Sequence, residues 1–231
     1  METINMKIET IPAVLYGKPS DNVYLFVHGK NGCKEEAARF APTAEARGWQ
    51  MLGIDLPGHG ERKAEEEHFL PWYTVPELKT VMQYIGQHWK KTALIANSLG
   101  AWFSLMSFRD IPFNKCLFIS PVLDMERLIR NMMMWASVSE DELRERQTIP
   151  TNFGETLSWE YLEYAKNHPV TKWEVPTEIL YAGKDNLTGR DTVDAFTEKF
   201  SAGLTVMEDG EHWFHTPEQL DVLAGWADKM I

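Results

Sequence analysis

The stretch T-A-L-I-A-N-S-L-G-A-W, Thr92 to Trp102, sets a serine between an apolar run and a helical pattern. A serine there has two uses. It can cap the helix by accepting a backbone N–H, or it can stand on a strained strand-to-helix turn as a nucleophile, once a base takes its proton. The other residues able to do chemistry fall in polar loops: H-G-K-N-G (28–32), D-L-P-G-H-G (55–60), S-P-V-L-D (120–124), A-G-K-D-N (182–186) and E-D-G-E-H-W-F-H (208–215). From Ser98 onward the chain supplies a serine, then aspartates, then histidines on loops. His212 and His215 share an H-x-x-H spacing, but no third or fourth ligand accompanies them, so no metal is expected. His68, His88 and His168 read as surface residues, and Glu65-Glu66-Glu67 as solvated surface.

Those loops need elements to hold them. Short apolar runs at Val23–Val27, Gln50–Ile54, Leu94–Ala96, Cys116–Ile119, Ile179–Ala182 and Leu204–Met207 read as buried strands. Between them lie helical patterns over Glu35–Arg47, around Leu78, Met82, Ile85 and Trp89, over Leu99 to about Phe108, around Val193, Phe196 and Phe200, and over Pro217–Met230. A helix starting near Thr192 would take Asp191 as its cap. Strands alternating with helices predict an α/β fold, a mostly parallel sheet covered on both faces. In such sheets reactive groups gather at the carboxyl ends of the strands, where the loops above lie.

One segment breaks the alternation. From about 122 to 170 there is no convincing strand, while R-N-M-M-M-W and Trp159, Tyr161 and Tyr164 are present. This predicts a helical cap inserted over the ligand-binding edge of a single domain spanning 1–231. Met133 and Trp135 either line an adaptable apolar pocket or form the cap's own core.

Composition bounds the function. The 231 residues are 44% hydrophobic and 12% aromatic, which excludes a disordered chain. With 23 basic and 34 acidic side chains the net charge is −11, against a nucleic-acid or anionic-membrane partner. Cys33 and Cys116 match no metal spacing. The start METINMKIETI does not read as a signal peptide, and no apolar run approaches the roughly 18 residues of a membrane span. A cytoplasmic location is expected. No phosphate-binding or dinucleotide loop is present, so no cofactor is expected.

In register, H-G, D-L-P-G-H-G, A-N-S-L-G, G-K-D and G-E-H-W resemble the α/β-hydrolase superfamily, over nearly the whole chain. Its elbow is usually G-x-S-x-G; here Ala96 replaces the first glycine, one small residue for another. The resemblance implies Ser98 as nucleophile, His212 as base and Asp185 as the acid that orients it. Asp124 is its competitor, because some members carry the acid after the preceding strand. Asp55 precedes the serine, against the order of the family, and with His59 it reads as a loop brace. The resemblance also implies that the backbone N–H groups of Lys30 and Leu99 receive the oxyanion. Met133, Trp135 and Trp213 are candidate pocket residues. Thr216-Pro217-Glu218-Gln219 reads as a capping box with His215 just before it, its ring packed over Leu220. The expectation is a serine hydrolase acting through an acyl-enzyme on a small-molecule ester or related acyl compound, monomeric or homodimeric.

Overall fold

A computed structural model describes residues 1–231. Its main sheet has eight strands, six of them foreseen as short apolar runs; the other two form an N-terminal hairpin, β1 (Thr3–Ile8) and β2 (Ile11–Tyr16). The six are β3 (Asn22–Val27), β4 (Gln50–Ile54), β5 (Lys91–Asn97), β6 (Cys116–Ile119), β9 (Thr177–Ala182) and β10 (Gly203–Met207). Two further strands, β7 (Thr148–Pro150) and β8 (Thr156–Ser158), pair with each other elsewhere. The order across the main sheet is β1-β2-β4-β3-β5-β6-β9-β10. All neighbours from β4 to β10 are parallel, and β1 and β2 join antiparallel.

The strands of the middle bury both faces, which is why they read as unbroken apolar runs. On β3, Val23, Leu25 and Val27 join one core while Tyr24 and Phe26 join the other, as the two-residue period of a strand requires. The first core is covered by α2 (Pro71–His88), α3 (Leu99–Ser107) and α7 (Arg190–Phe200), the second by α1 (Ala41–Ala46) and α8 (Pro217–Met230). From β3 the chain steps to β4 on one side and later to β5 on the other. The order therefore reverses between β3 and β5, and a crevice opens at the carboxyl ends of this pair.

The expected helix over 35–47 is broken. A 3-10 segment runs Lys34–Arg39, and α1 restarts with Pro42 in its first turn. Proline lacks the N–H that a continuous helix would need there, so it sits where that donor is not used. The 122–170 segment holds α4 (Met125–Trp135), α5 (Glu140–Arg146) and α6 (Trp159–Asn167), as expected, but it also holds the β7–β8 hairpin. Three-residue strands are too short to show a period, so the reading of no strand was incorrect there.

Two loops beside the crevice are tied by a buried ion pair. Lys34, 2% exposed, places Nζ 2.9 Å from Asp55 Oδ2 and 2.8 Å from carboxylate oxygens of Glu35 and Glu61. Asp55 also accepts from the backbone N–H groups of Lys34 at 2.8 Å and Glu61 at 3.0 Å. Burial works against the ammonium, but the three carboxylates outweigh it and raise its pKa above the ordinary lysine range. Asp55→Ala would leave a buried ammonium short of its most buried partner. Urea unfolding should show a loss of about 3 kcal/mol, near the low end for a broken buried pair because two carboxylates remain. A change below about 1 kcal/mol would mean that the brace carries little stability.

Candidate functional site

The candidate residues meet at the carboxyl end of β5, where the loops after β9 and β10 reach Ser98. Ser98 follows β5 with φ 50° and ψ −119°, and its side chain makes no capping hydrogen bond to α3. The capping use is therefore not realised. A non-glycine residue in this region stores on the order of 1–3 kcal/mol, held by the surrounding structure. Two glycines permit the close packing of this turn. A Cβ on Gly100 would lie 2.4 Å from the carbonyl oxygens of Val27 and His28, and one on Gly29 would lie 2.8 Å from the Ser98 Cβ. Ala96 is fully buried among core residues, so the methyl at the family's first glycine position is accommodated.

Ser98 Oγ lies 2.7 Å from His212 Nε2, and His212 Nδ1 lies 2.7 Å from Asp185 Oδ2. The Asp185 side chain is fully buried and that of His212 is 14% exposed. A carboxylate can only accept, so Nδ1 carries the proton and Nε2 is left to accept from the serine hydroxyl. This arrangement can draw the proton from Ser98 as its oxygen attacks.

Each member comes from a loop at the carboxyl end of a strand. Asp185 follows β9, where its Oδ1 accepts from the N–H groups of Leu187 at 2.8 Å and Thr188 at 3.0 Å. His212 follows β10, and the two loops are stitched by Lys184 N–H donating to Gly210 O at 2.8 Å. Asp124 has another duty: it caps α4, accepting from Arg127 N–H at 2.9 Å. Asp191 is not the cap of α7. That position is Gly189, and Asp191 instead pairs with Arg127 at 2.7 Å.

His215 lies just before the cap of α8. The ring stacks on Trp213, 4.8 Å between centroids, while its backbone N–H donates to Gln219 Oε1. Thr216 is the N-cap of α8, as the motif predicts. Gln219 reaches back one residue further than a capping box requires, to His215.

The β3 loop brings Gly29 against the serine, with Lys30 next in the chain. His28, fully buried, places Nε2 3.0 Å from Leu56 N and Nδ1 2.7 Å from Gly29 O. The Leu56 N–H can only donate, so Nε2 is bare and Nδ1–H donates to Gly29 O. In a trans peptide the following N–H, that of Lys30, points opposite to this carbonyl. Leu99 is the first residue of α3 and has no carbonyl one turn earlier to receive its N–H. Both amides are thus available to a developing negative charge. His28 and its role in orienting this loop escape sequence reasoning, because its partners are backbone atoms of two different loops.

Burial pushes the His28 pKa down to about 4. Unfolding frees an imidazole titrating near 6.5, so the unfolded chain binds more protons between those values. The stability contributed by neutral His28 is complete above about 6.5 and is lost, by about 3 kcal/mol, as pH falls toward 4. His28→Gln should be less stable at neutral pH, with a smaller drop between pH 6.5 and 4 than the wild type in urea titrations. An equal drop in both proteins would assign acid lability to other groups.

The candidate pocket residues divide. Met133 is buried with Leu128 and Ile129 in the core, while Trp135 is 44% and Trp213 73% exposed. Trp135 meets Phe153 edge-on at 6.1 Å, and nearby Glu155 pairs with Lys30 Nζ at 2.5 Å. The β7–β8 turn thus reaches the loop beside Ser98. Two surface cavities of about 500 and 330 Å³ lie away from Ser98, one beside Glu45 and Trp49 and one beside Arg109 and Tyr164. No three histidine, cysteine, aspartate or glutamate residues cluster as a metal site would require, and no helix is long and apolar enough to cross a membrane.

Comparison with known proteins agrees with the fold. The model of the alpha/beta hydrolase family matches residues 24–226. No curated protein matches by sequence. Among solved structures, the chain is similar to Est1E from Butyrivibrio proteoclasticus with ferulic acid bound, at 17% identity and TM-score 0.80 over 98% of this chain and 96% of that one. It is similar to alpha/beta hydrolase domain-containing protein 10 from mouse, at 13% identity and TM-score 0.76 over 100% and 98%. It is also similar to a monoacylglycerol lipase from Paleococcus ferrophilus, at 15% identity and TM-score 0.67 over 95% and 98%. At these identities the likeness is one of fold.

Proposed function

Since this chain belongs to the alpha/beta hydrolase family, we propose that it is a serine hydrolase cleaving a carboxylic ester or related acyl compound through an acyl-enzyme. The observation that carries this reading is the pair of 2.7 Å hydrogen bonds linking Ser98, His212 and Asp185, with the serine at positive φ and free of any capping duty. Ser98 Oγ attacks the acyl carbon while its proton passes to His212 Nε2. The Asp185 carboxylate stabilises the resulting imidazolium. Negative charge on the former carbonyl oxygen is met by the N–H groups of Lys30 and Leu99. Collapse of the intermediate breaks the bond to the leaving group, which takes the proton from His212. Water, deprotonated by the same imidazole, then releases the acid and restores Ser98.

Trp135 and Trp213, exposed near this edge, support an uncharged acyl group with apolar or aromatic surface. The ferulic acid bound to Est1E makes a feruloyl ester a sensible member of the test set. A panel of acetyl, butyryl, octanoyl and feruloyl esters with an acyl thioester should yield turnover for at least one member. Hydrolysis of none of them above the uncatalysed rate would overturn the reading.

A further inference from the structure

We infer that Thr188 is a positioning residue that holds the Asp185 carboxylate in register with the Ser98 elbow, by joining the β9 loop to the β6 loop through its side-chain hydroxyl. The inference rests on the assignment of Ser98, His212 and Asp185 above. Thr188 is buried and acts in two directions. Its N–H donates to Asp185 Oδ1 at 3.0 Å, and its Oγ1 donates to Pro121 O at 2.9 Å. Its own carbonyl is fixed by the Tyr181 hydroxyl at 2.9 Å. Next to Pro121, Val122 N–H donates to Ser98 O at 3.1 Å. The acid loop thus reaches the nucleophile turn through two hydrogen bonds and the short Pro121–Val122 segment.

That segment needs holding. Ser120 sits at φ 41° and is fully buried, and its hydroxyl has no hydrogen-bond partner. A left-handed non-glycine residue persists only where its surroundings over-determine it. Ser120 N–H donating to Leu180 O at 2.9 Å holds one side of Pro121, and the ties of Thr188 and Val122 to the peptide group after Pro121 hold the other. The same segment leads into α4, whose Arg127 pairs with Asp191 at the start of α7. An exposed ion pair thus joins the first turn of α4 to the first turn of α7, just past the acid loop. A threonine here is not needed to hold the carboxylate, since the backbone N–H does that for any residue. The hydroxyl serves only the link to Pro121.

Thr188→Val keeps the shape and removes that link, whereas Thr188→Ser keeps it. In the 231-residue chain, assayed well below the melting temperature, Thr188→Val should lower kcat roughly 10- to 100-fold with KM within about two-fold, as small displacements of reacting groups do. Thr188→Ser should restore most of the rate. Where the valine variant does not fold, Thr188→Ala carries the same expectation without placing a methyl against the Pro121 carbonyl. Wild-type kcat in Thr188→Val or Thr188→Ala would overturn the inference, as would a serine variant as slow as the valine. Labelling of wild-type Ser98 by a fluorophosphonate separates the two levels. A labelled wild type with a fast valine variant rejects the role of Thr188 alone, and an unlabelled wild type rejects the underlying assignment with it.

Discussion

Ser98→Ala is expected to fold as the wild type does and to lose on the order of 10⁴–10⁶ in turnover. The hydroxyl has no capping partner, so its removal breaks no hydrogen bond within α3. It does remove the proposed attacking atom, and the bond it makes to His212 Nε2. What remains is the contribution of binding and of the Lys30 and Leu99 amides to direct attack by water. An alanine also fits the backbone at φ 50° no worse than the serine, so thermal unfolding should occur within a few degrees of the wild type. Parental turnover in this variant, measured with the best ester of the panel, would place the chemistry elsewhere.

His212→Ala is expected to abolish turnover to a similar degree, while His215→Ala keeps much of it. His212 alone joins the serine and the carboxylate. The only capping role of His215 is carried by its backbone N–H, which alanine retains, and its ring lies on exposed Trp213. Its replacement should therefore cost no more than about 1 kcal/mol. Comparing ester turnover with melting temperature for both variants decides the matter. A dead His215→Ala beside an active His212→Ala would move the base by three residues.

What could be read from the chain follows from physical signal strength. The parallel strands were legible because burial on both faces makes them unbroken apolar runs, as in Val23–Val27 and Cys116–Ile119. The N-terminal hairpin was not legible in the same way. Its edge strand β1 is largely exposed, and Ile4 is half in water. The alternation of Ile4, Met6 and Ile8 is the signal that would have found it. The helix over 35–47 failed at Pro42, whose place in a first turn outweighs the Ala- and Glu-rich composition around it.

The candidate site shows the same division. Loops at strand ends reveal which serine, aspartates and histidines share one edge of the sheet. They do not choose between Asp124 and Asp185, and the resemblance carried that choice. In the structure the difference is local: Asp124 is followed by a helix whose first turn takes its carboxylate, and Asp185 by a turn whose N–H groups take one oxygen and leave the other for His212. Thr188 and His28 stay hidden in the sequence because each is bonded to backbone groups far away in the chain.

Ser98 is proposed as a nucleophile activated by His212. Incubating the folded protein with a fluorophosphonate and mapping the adduct by peptide mass spectrometry tests it most directly. One adduct is expected, on the peptide containing Ser98, absent from Ser98→Ala and strongly slowed in His212→Ala. A wild-type protein that stays unlabelled, or one that carries its adduct on another residue, would contradict it.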